Sequence, residues 1–287
     1  MKKILLTAVL AASLTTAANA GWLDSLFGSD AKGTVINHSN KASPATVFAK
    51  SYQKGIKPGA DFWQADNCDQ ADDKYQNTKD AIMAYNADVG IAAMSKGLNC
   101  PLRAEADKTI FVGKSYFRLC TNAADPKTIQ EAKTFGIASV ILSPGIIADY
   151  NSNGLTLEGV PYGGSKNVLT AVIANEVDFG IIGTGVANPA LEKGQIACPY
   201  TTDPTADNYI GKTLNLKFPN LNITKLVYTN SDNAELIQSL RNAATTNEFN
   251  AYLAKSGYGF VKVDNFTNAD VTEAKQWIDE VYNEYWK

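Results

Sequence analysis

Short β-rich runs alternate with helical patterns through most of this chain, and no other feature limits its possible folds as much. Residues 33–37 (Gly-Thr-Val-Ile-Asn) read as a first strand. Ser43 and Pro44 then open a helix, with Ser at the N-cap, Pro at the first helical position, and Val47, Phe48 and Tyr52 on its apolar face. Residues 61–65 form a second strand, 74–86 a helix with Tyr75, Ile82, Met83 and Tyr85 in its apolar set, and 88–94 a buried strand. A long extended segment follows at 110–121. The alternation then restarts with a helix at 125–135, a strand at 137–142, a helix opening at 146–150 and an extended run at 156–161. It continues with helix 165–177, strand 178–182, a short helix at 188–193 and an extended run at 195–201. A strand at 225–229, a helical stretch at 234–254, an extended run at 259–263 and a closing helix at 271–286 complete the pattern. Strands joined through helices pair in parallel, so the expected fold is α/β with mostly parallel sheets. No internal repeat interrupts the pattern, and two lobes joined by extended crossings account for its restart better than one sheet.

Residues 1–20 read as a signal peptide: Lys2 and Lys3 precede an apolar run at 4–14 and the ending Ala18-Asn19-Ala20. The run is about half the ~20 residues that a membrane-spanning helix needs, and no later stretch reaches that length. The chain is therefore expected to be exported. With 45% hydrophobic residues the chain can bury a sizeable core. Its net charge of −3 and its three arginines, Arg103, Arg118 and Arg241, argue against a nucleic-acid partner.

Cys68, Cys100, Cys120 and Cys198 give an even count in an exported chain, which points to disulfides. Four cysteines allow three connectivities. No Cys-x-x-Cys spacing occurs and His38 is the only histidine, so no metal is expected. Asp66, Asp69, Asp72 and Asp73 lack the spacing and terminal glutamate of an EF-hand and read as a solvated loop.

The stretch 155–185 reads LTLEGVPYGGSKNVLTAVIANEVDFGIIGTG. It resembles the second lobe of type 2 periplasmic solute-binding proteins, and most of all the receptors of tripartite tricarboxylate transporters. Those carry a similar V-P-Y-x-G, a small residue opening an alanine-rich helix, and a V-D strand start. Residues 122–135, with Asp125-Pro126-Lys127-Thr128, and 247–257 (NEFNAYLAKSG) extend the likeness to nearly the whole chain after residue 20. Thr46 stands where the family usually carries an acid, and Asp66-Asn67-Cys68-Asp69-Gln70 replaces a Pro-Gly-rich loop. The resemblance implies a two-lobed fold, each lobe a mostly parallel sheet flanked by helices, with hinge strands between. Lobe 1 would comprise 21–119 with 200–287, and lobe 2 residues 120–199. In that arrangement Cys68 and Cys100 follow the second and third strands, while Cys120 and Cys198 lie on the crossings. The expected pairs are therefore Cys68 with Cys100 and Cys120 with Cys198.

In open α/β sheets ligands sit outside the carboxyl ends of the strands, where helix N-termini present unpaired N–H groups suited to anions. The foremost candidates are Gly164 and Ser165, a glycine that lets backbone approach a ligand and a hydroxyl that caps a helix or donates to an anion. Ser143 and Gly145 lie between a strand and a helix, and Thr184 follows the strand that begins near Asp178. From the first lobe, Asn37, Ser39, Asn40 and Ser95 follow expected strands and could hydrogen-bond a small ligand. Arg118 lies on the first crossing and could fork onto a carboxylate. Each position also has an ordinary reading as turn, cap or surface residue, and His38 reads as a surface or capping histidine.

Catalysis finds no motif: no G-x-S-x-G, H-E-x-x-H or P-loop is present, and Gly183-Thr184-Gly185 lacks the rest of a dinucleotide fingerprint. The expected function is a monomeric receptor that captures a small organic anion and delivers it to membrane transporter subunits, with no cofactor. A ligand sensor or an exported hydrolase are the alternatives.

Overall fold

The computed structural model describes residues 33–39, 44–87, 98, 100–138, 143–255 and 261–262, with a few positions between 269 and 283. The signal-peptide reading and the strand expected at 88–94 lie outside these residues. Among the described residues no helix is long and apolar enough to cross a membrane.

The first set of elements runs β1 (Thr34–Asn37), α1 (Pro44–Gly55), β2 (Asp61–Gln64), α2 (Cys68–Asn77) and β3 (Ala81–Asn86). The long strand β4 (Thr109–Asn122) follows, then β5 (Thr134–Ile137), α3 (Ser143–Asn151), β6 (Glu158–Pro161), α4 (Ser165–Ile173), β7 (Phe179–Gly183), α5 (Thr184–Glu192) and β8 (Ile196–Thr201). A 3-10 turn at Ile210–Lys212 leads to β9 (Asn222–Thr229), α6 (Ala234–Ala243), α7 (Asn247–Lys255) and β10 (Val261–Lys262).

The strand order is β2-β1-β3-β9-β4-β7-β5-β6, and β4 belongs to both halves of it. Its residues from Thr109 to Tyr116 pair antiparallel with β9. From Phe117 onward β4 pairs with β7 and β8 instead. Within the first set, β1, β2 and β3 are mutually parallel. Within the second, β5, β6 and β7 are parallel. A two-lobed α/β fold of this kind is what the alternation implies.

Some bounds shift: β5 begins three residues before the strand expected at 137–142, the helix expected at 188–193 is Thr184–Glu192, and the stretch 234–254 is two helices. Two readings change in kind. The helix expected at 74–86 is two elements, because α2 stops at Asn77, Asp80 turns the chain at φ 56°, and Ala81–Asn86 is a strand buried at every position. A strand buried on both faces has no alternation, so its apolar residues fit a helical face equally well. The helix expected at 125–135 is a turn leading into β5. The decisive partner is distant in sequence: the Asp178 carboxylate accepts the backbone N–H groups of Lys133 (2.8 Å) and Thr134 (3.0 Å) and pairs with Lys127.

Packing follows the layers. Beneath α1, α6 and α7, Phe48, Phe111 and Phe249 cluster with centroids 5.4–5.6 Å apart. Tyr52 joins this cluster and donates its hydroxyl to the Leu240 carbonyl at 2.6 Å. Burying one such ring contributes roughly 1.5–3 kcal/mol, so this cluster fixes α1 against the chain's distant C-terminal helices. Val168, Val172, Val177 and Ile182 form the corresponding core beneath α4 and α5. A third cluster, from Ile36 and Tyr85 through Val112 and Leu119 to Phe135 and Ile181, is continuous across β4.

Candidate functional site

Strand direction brings the loops of both sets together. Strands β3 and β4 both run antiparallel to β9, so they run in the same direction, and Asn86 at the end of β3 lies level with Lys225 and Gly113. Strand β7 runs against β4, and its last residue, Gly183, lies opposite Phe117. Strands β1, β5 and β6 end within about two residues of the same two levels. All of these carboxyl ends therefore converge on the stretch of β4 from Gly113 to Phe117, which at ~3.3 Å per residue is about 13 Å long. That span suits a small organic molecule.

On the first-set side the convergence is a network of side chains. Asn37, the last residue of β1, donates through Nδ2 to Thr46 Oγ1 at 2.7 Å, Gln64 Oε1 at 3.2 Å and the Ser39 carbonyl at 3.3 Å. Gln64 Nε2 donates to the Ser39 carbonyl. Asn37, Ser39 and Thr46 are buried. Asn40 and Ser95 lie outside the described residues. Sequence reasoning noticed Thr46 only as a departure from a pattern and missed Gln64; a polar residue closing a short strand, at Asn37's level, is the signal for it.

His38 is a correction: it is buried, not at the surface. Its Nε2 accepts the Asn86 N–H at 2.8 Å and its Nδ1 lies 3.1 Å from Cys68 Sγ, while the ring stacks on Tyr85 at 4.7 Å. Burial, reinforced by the charge on Lys225, lowers its pKa from 6.5 to about 3. A neutral ring with Nε2 accepting must carry its hydrogen on Nδ1, directed at sulfur. His38, Cys68 and Cys100 lie close enough to suggest a metal cluster. However, the two sulfurs are bonded to each other and both ring nitrogens are engaged, so the donors are already used.

The structure joins Cys68 to Cys100 and Cys120 to Cys198, with Cα–Cα distances of 5.0 and 4.0 Å. The first ties the start of α2 to the segment before β4; the second staples β4 to β8.

On the second-set side the groups are mostly backbone. Gly164 is the N-cap of α4 at φ 148°, and a Cβ built there meets nothing within 4 Å. Only the backbone conformation, not a clash within the protein, calls for glycine. Ser165 is not the cap; its Oγ accepts the Gly183 N–H at 3.2 Å and ties the start of α4 to the end of β7. Thr184, first in α5, donates to the Tyr116 carbonyl at 2.8 Å, inside the convergent stretch of β4. Ser143 and Gly145 lie in the first turn of α3 and are buried. Arg118 donates through Nε to Asn188 Oδ1 at 2.8 Å, which anchors it on α5. The structure thus brings Gly164, Ser165 and Thr184 together with Tyr116, and keeps Arg118 one residue beyond.

Charge distinguishes these helices from the others. The four that open beyond the ends of β1, β5, β6 and β7, namely α1, α3, α4 and α5, have no acid in the first turn. Helix α2, which opens beyond the carboxyl end of β2 at the level of β1, carries Asp69 there, and α6 and α7 carry Glu235 and Glu248. An acid in the first turn neutralises the positive helix end, so the ends beyond β1, β5, β6 and β7 are left suited to an anion and the one beyond β2 is not.

A groove of about 530 Å³ lies elsewhere, lined by Asn77, Thr78, Asp80, Asn230 and Ser231 among others. It is at the amino end of β3, and Asn230 there is spent on holding the turn through Tyr75, Thr78 and Ala81 backbone groups.

Two sets of strands sharing one long strand, with carboxyl ends opposed, define the two-lobed periplasmic-binding-protein fold. No protein-family model and no curated protein matches the chain by sequence. Among solved structures, a TctC solute-binding protein from Polaromonas matches at 12% identity over 88% of this chain and 98% of its own, with a TM-score of 0.66. The periplasmic binding protein BugD matches at 12% identity over 89% and 98%, TM-score 0.54. MatC from Rhodopseudomonas palustris, with bound malate, matches at 13% identity over 88% and 98%, TM-score 0.53. At these identities the likeness is one of fold.

Proposed function

We propose that this protein is a periplasmic receptor that closes two lobes over a small carboxylated solute and hands it to a membrane transporter of the tripartite tricarboxylate type. The observation that carries the reading is the convergence of both sets of strand ends on β4, with four acid-free helix N-termini opening there. Lobe 1 comprises 21–119 with 200–287 and lobe 2 comprises 120–199, so β4 is one of the hinge strands. The solute contacts are Asn37, Ser39, Asn40 and Ser95 from lobe 1, and Ser143, Gly145, Gly164, Ser165 and Thr184 from lobe 2, with Arg118 at the hinge. Capture needs no covalent chemistry: contacts made only in the closed form shift an open–closed equilibrium. The malate bound by MatC, a neighbour in fold, supports an organic acid as the solute class.

Native mass spectrometry of gently purified protein identifies a retained solute by its mass. Small-angle scattering with that solute then reads the closure: the expected result is a smaller radius of gyration at unchanged helix content. An unchanged profile at saturation sinks the closing receptor.

A further inference from the structure

Two side-chain oxygens at the carboxyl end of β1, Asn37 Oδ1 and Ser39 Oγ, have no hydrogen-bond partner among the described residues. Their residues are buried to 0% and 2% exposure. Unpaired buried oxygens carry a desolvation cost and are rare in folded proteins, so their clustering at the strand ends calls for a use.

Their chemistry is constrained by their neighbours. Asn37 Nδ2 faces Thr46 Oγ1, Gln64 Oε1 and the Ser39 carbonyl, so turning the amide over would set Oδ1 against two oxygens that only accept. Gln64 is held the same way, since its Nε2 donates to the carbonyls of Ser39 and Ala65. Asn37 Oδ1 is therefore an acceptor, and what it lacks is a donor. None of Asn37, Ser39, Thr46 and Gln64 carries a charge, and a buried ammonium without a counter-charge is strongly disfavoured. An uncharged donor is what fits, and on a simple organic acid that group is a hydroxyl.

We propose that the solute is a hydroxylated carboxylic acid whose hydroxyl donates to Asn37 Oδ1, with Ser39 Oγ as its second partner, while the second-lobe helix N-termini take a carboxylate. This rests on the receptor reading and deepens it: the first lobe selects for the hydroxyl, and the second supplies attraction for charge. It also gives the Asn37, Thr46 and Gln64 network a purpose, which is to fix the acceptor's direction before the solute arrives.

The test is calorimetric titration of the mature, ligand-stripped protein with acids that differ by one hydroxyl. The pairs are succinate and malate, glutarate and 2-hydroxyglutarate, and tricarballylate and citrate, with aspartate and glutamate as ammonium counterparts. The expected result is that in at least one pair the hydroxy acid binds about tenfold or more tightly than its partner. Asn37→Ala should shrink that ratio towards one, because the hydroxy acid loses more affinity than its unsubstituted partner. Ser39→Ala, the milder change, serves if Asn37→Ala fails to fold. Equal binding within every pair overturns the proposal, as does tighter binding of an amino acid than of its hydroxy counterpart. So does a hydroxyl preference that survives in the folded variants. Acid binding without hydroxyl preference removes this proposal and leaves the receptor standing; binding by none of these acids overturns the anion-receptor reading itself.

Discussion

On the first-set side of the β4 crossing, the polar groups at the strand ends are side chains: Asn37, His38, Ser39, Thr46 and Gln64, buried or half-buried and bonded mainly to one another. On the second-set side they are glycine backbone and helix starts, with Ser165 and Thr184 tying α4 and α5 to Gly183 and Tyr116. A side-chain network fixes directional donors and acceptors but is sensitive to protonation. Backbone N–H groups at a helix start carry no titrating group and supply a field rather than a direction. The difference teaches that two sets of strand ends can meet with different chemistry, directional side chains dominating one and helix starts the other.

The largest expected effect separates the two sides by acid. His38 is held neutral with a pKa of about 3. Burial alone would raise the Asp178 carboxyl, but Lys127 and the Lys133 and Thr134 N–H groups outweigh it and hold it at about 2. Both native values lie below the unfolded ones, so the unfolded chain takes up the proton first and stability falls as pH falls. The His38 contribution is complete above about pH 6.5 and drains away towards about pH 3, a loss on the order of 4 kcal/mol. That of Asp178 begins to fall only below about pH 4. Urea unfolding across pH should show the first decline in wild type and a flatter profile between pH 6.5 and 4.5 in His38→Gln. A flat wild-type profile there breaks the comparison.

Next in size are the disulfides, one on each side. Replacing both cysteines of either pair by serine should cost roughly 2–4 kcal/mol in the loop-entropy picture. The sequence separations are 32 for Cys68–Cys100 and 78 for Cys120–Cys198. The longer loop should therefore matter more, by about 0.8 kcal/mol. Denaturant midpoints of the two double variants decide this, and the reverse order shows that side-chain surroundings outweigh loop length.

Gly164→Val should strain α4's start by about 1–3 kcal/mol, because φ 148° is closed to valine although the space is open. Its affinity for the retained solute should fall by about 100-fold, since the new side chain enters that space; wild-type affinity in the folded variant would remove this loop from the site. Ser165→Ala leaves the Gly183 N–H without its partner and should cost about 1–3 kcal/mol of stability. Lys166→Ala, an exposed control, should change stability by less than about 0.5 kcal/mol and affect binding only through a field that salt screens.

Periodicity was a good guide wherever an element has one wet face. Residues 44–55 and 165–173 alternate apolar and polar sides, and both are helices starting close to where capping chemistry placed them. The guide failed at Ala81–Asn86, whose six buried residues have no wet face to declare a period. It failed again before β5, where the folding cue is the Asp178 carboxylate more than forty residues away. Site residues divide similarly. Glycine and hydroxyl signals marked Gly164, Ser165 and Thr184, but their partners Gly183 and Tyr116 are backbone atoms that carry no signal in sequence.

By itself, the sequence determined the α/β class, the opening residues of α1, α4 and α6, and the cysteines available for pairing, because these depend on propensity and spacing within a few residues. Tertiary structure alone decided that Asn37 spends its Nδ2 on Thr46, Gln64 and the Ser39 carbonyl, that His38 is buried and neutral, and that Thr184 at the start of α5 bonds the Tyr116 carbonyl. Each of those depends on groups brought together from distant parts of the chain, and burial, direction and charge are properties of that meeting, not of the residues alone.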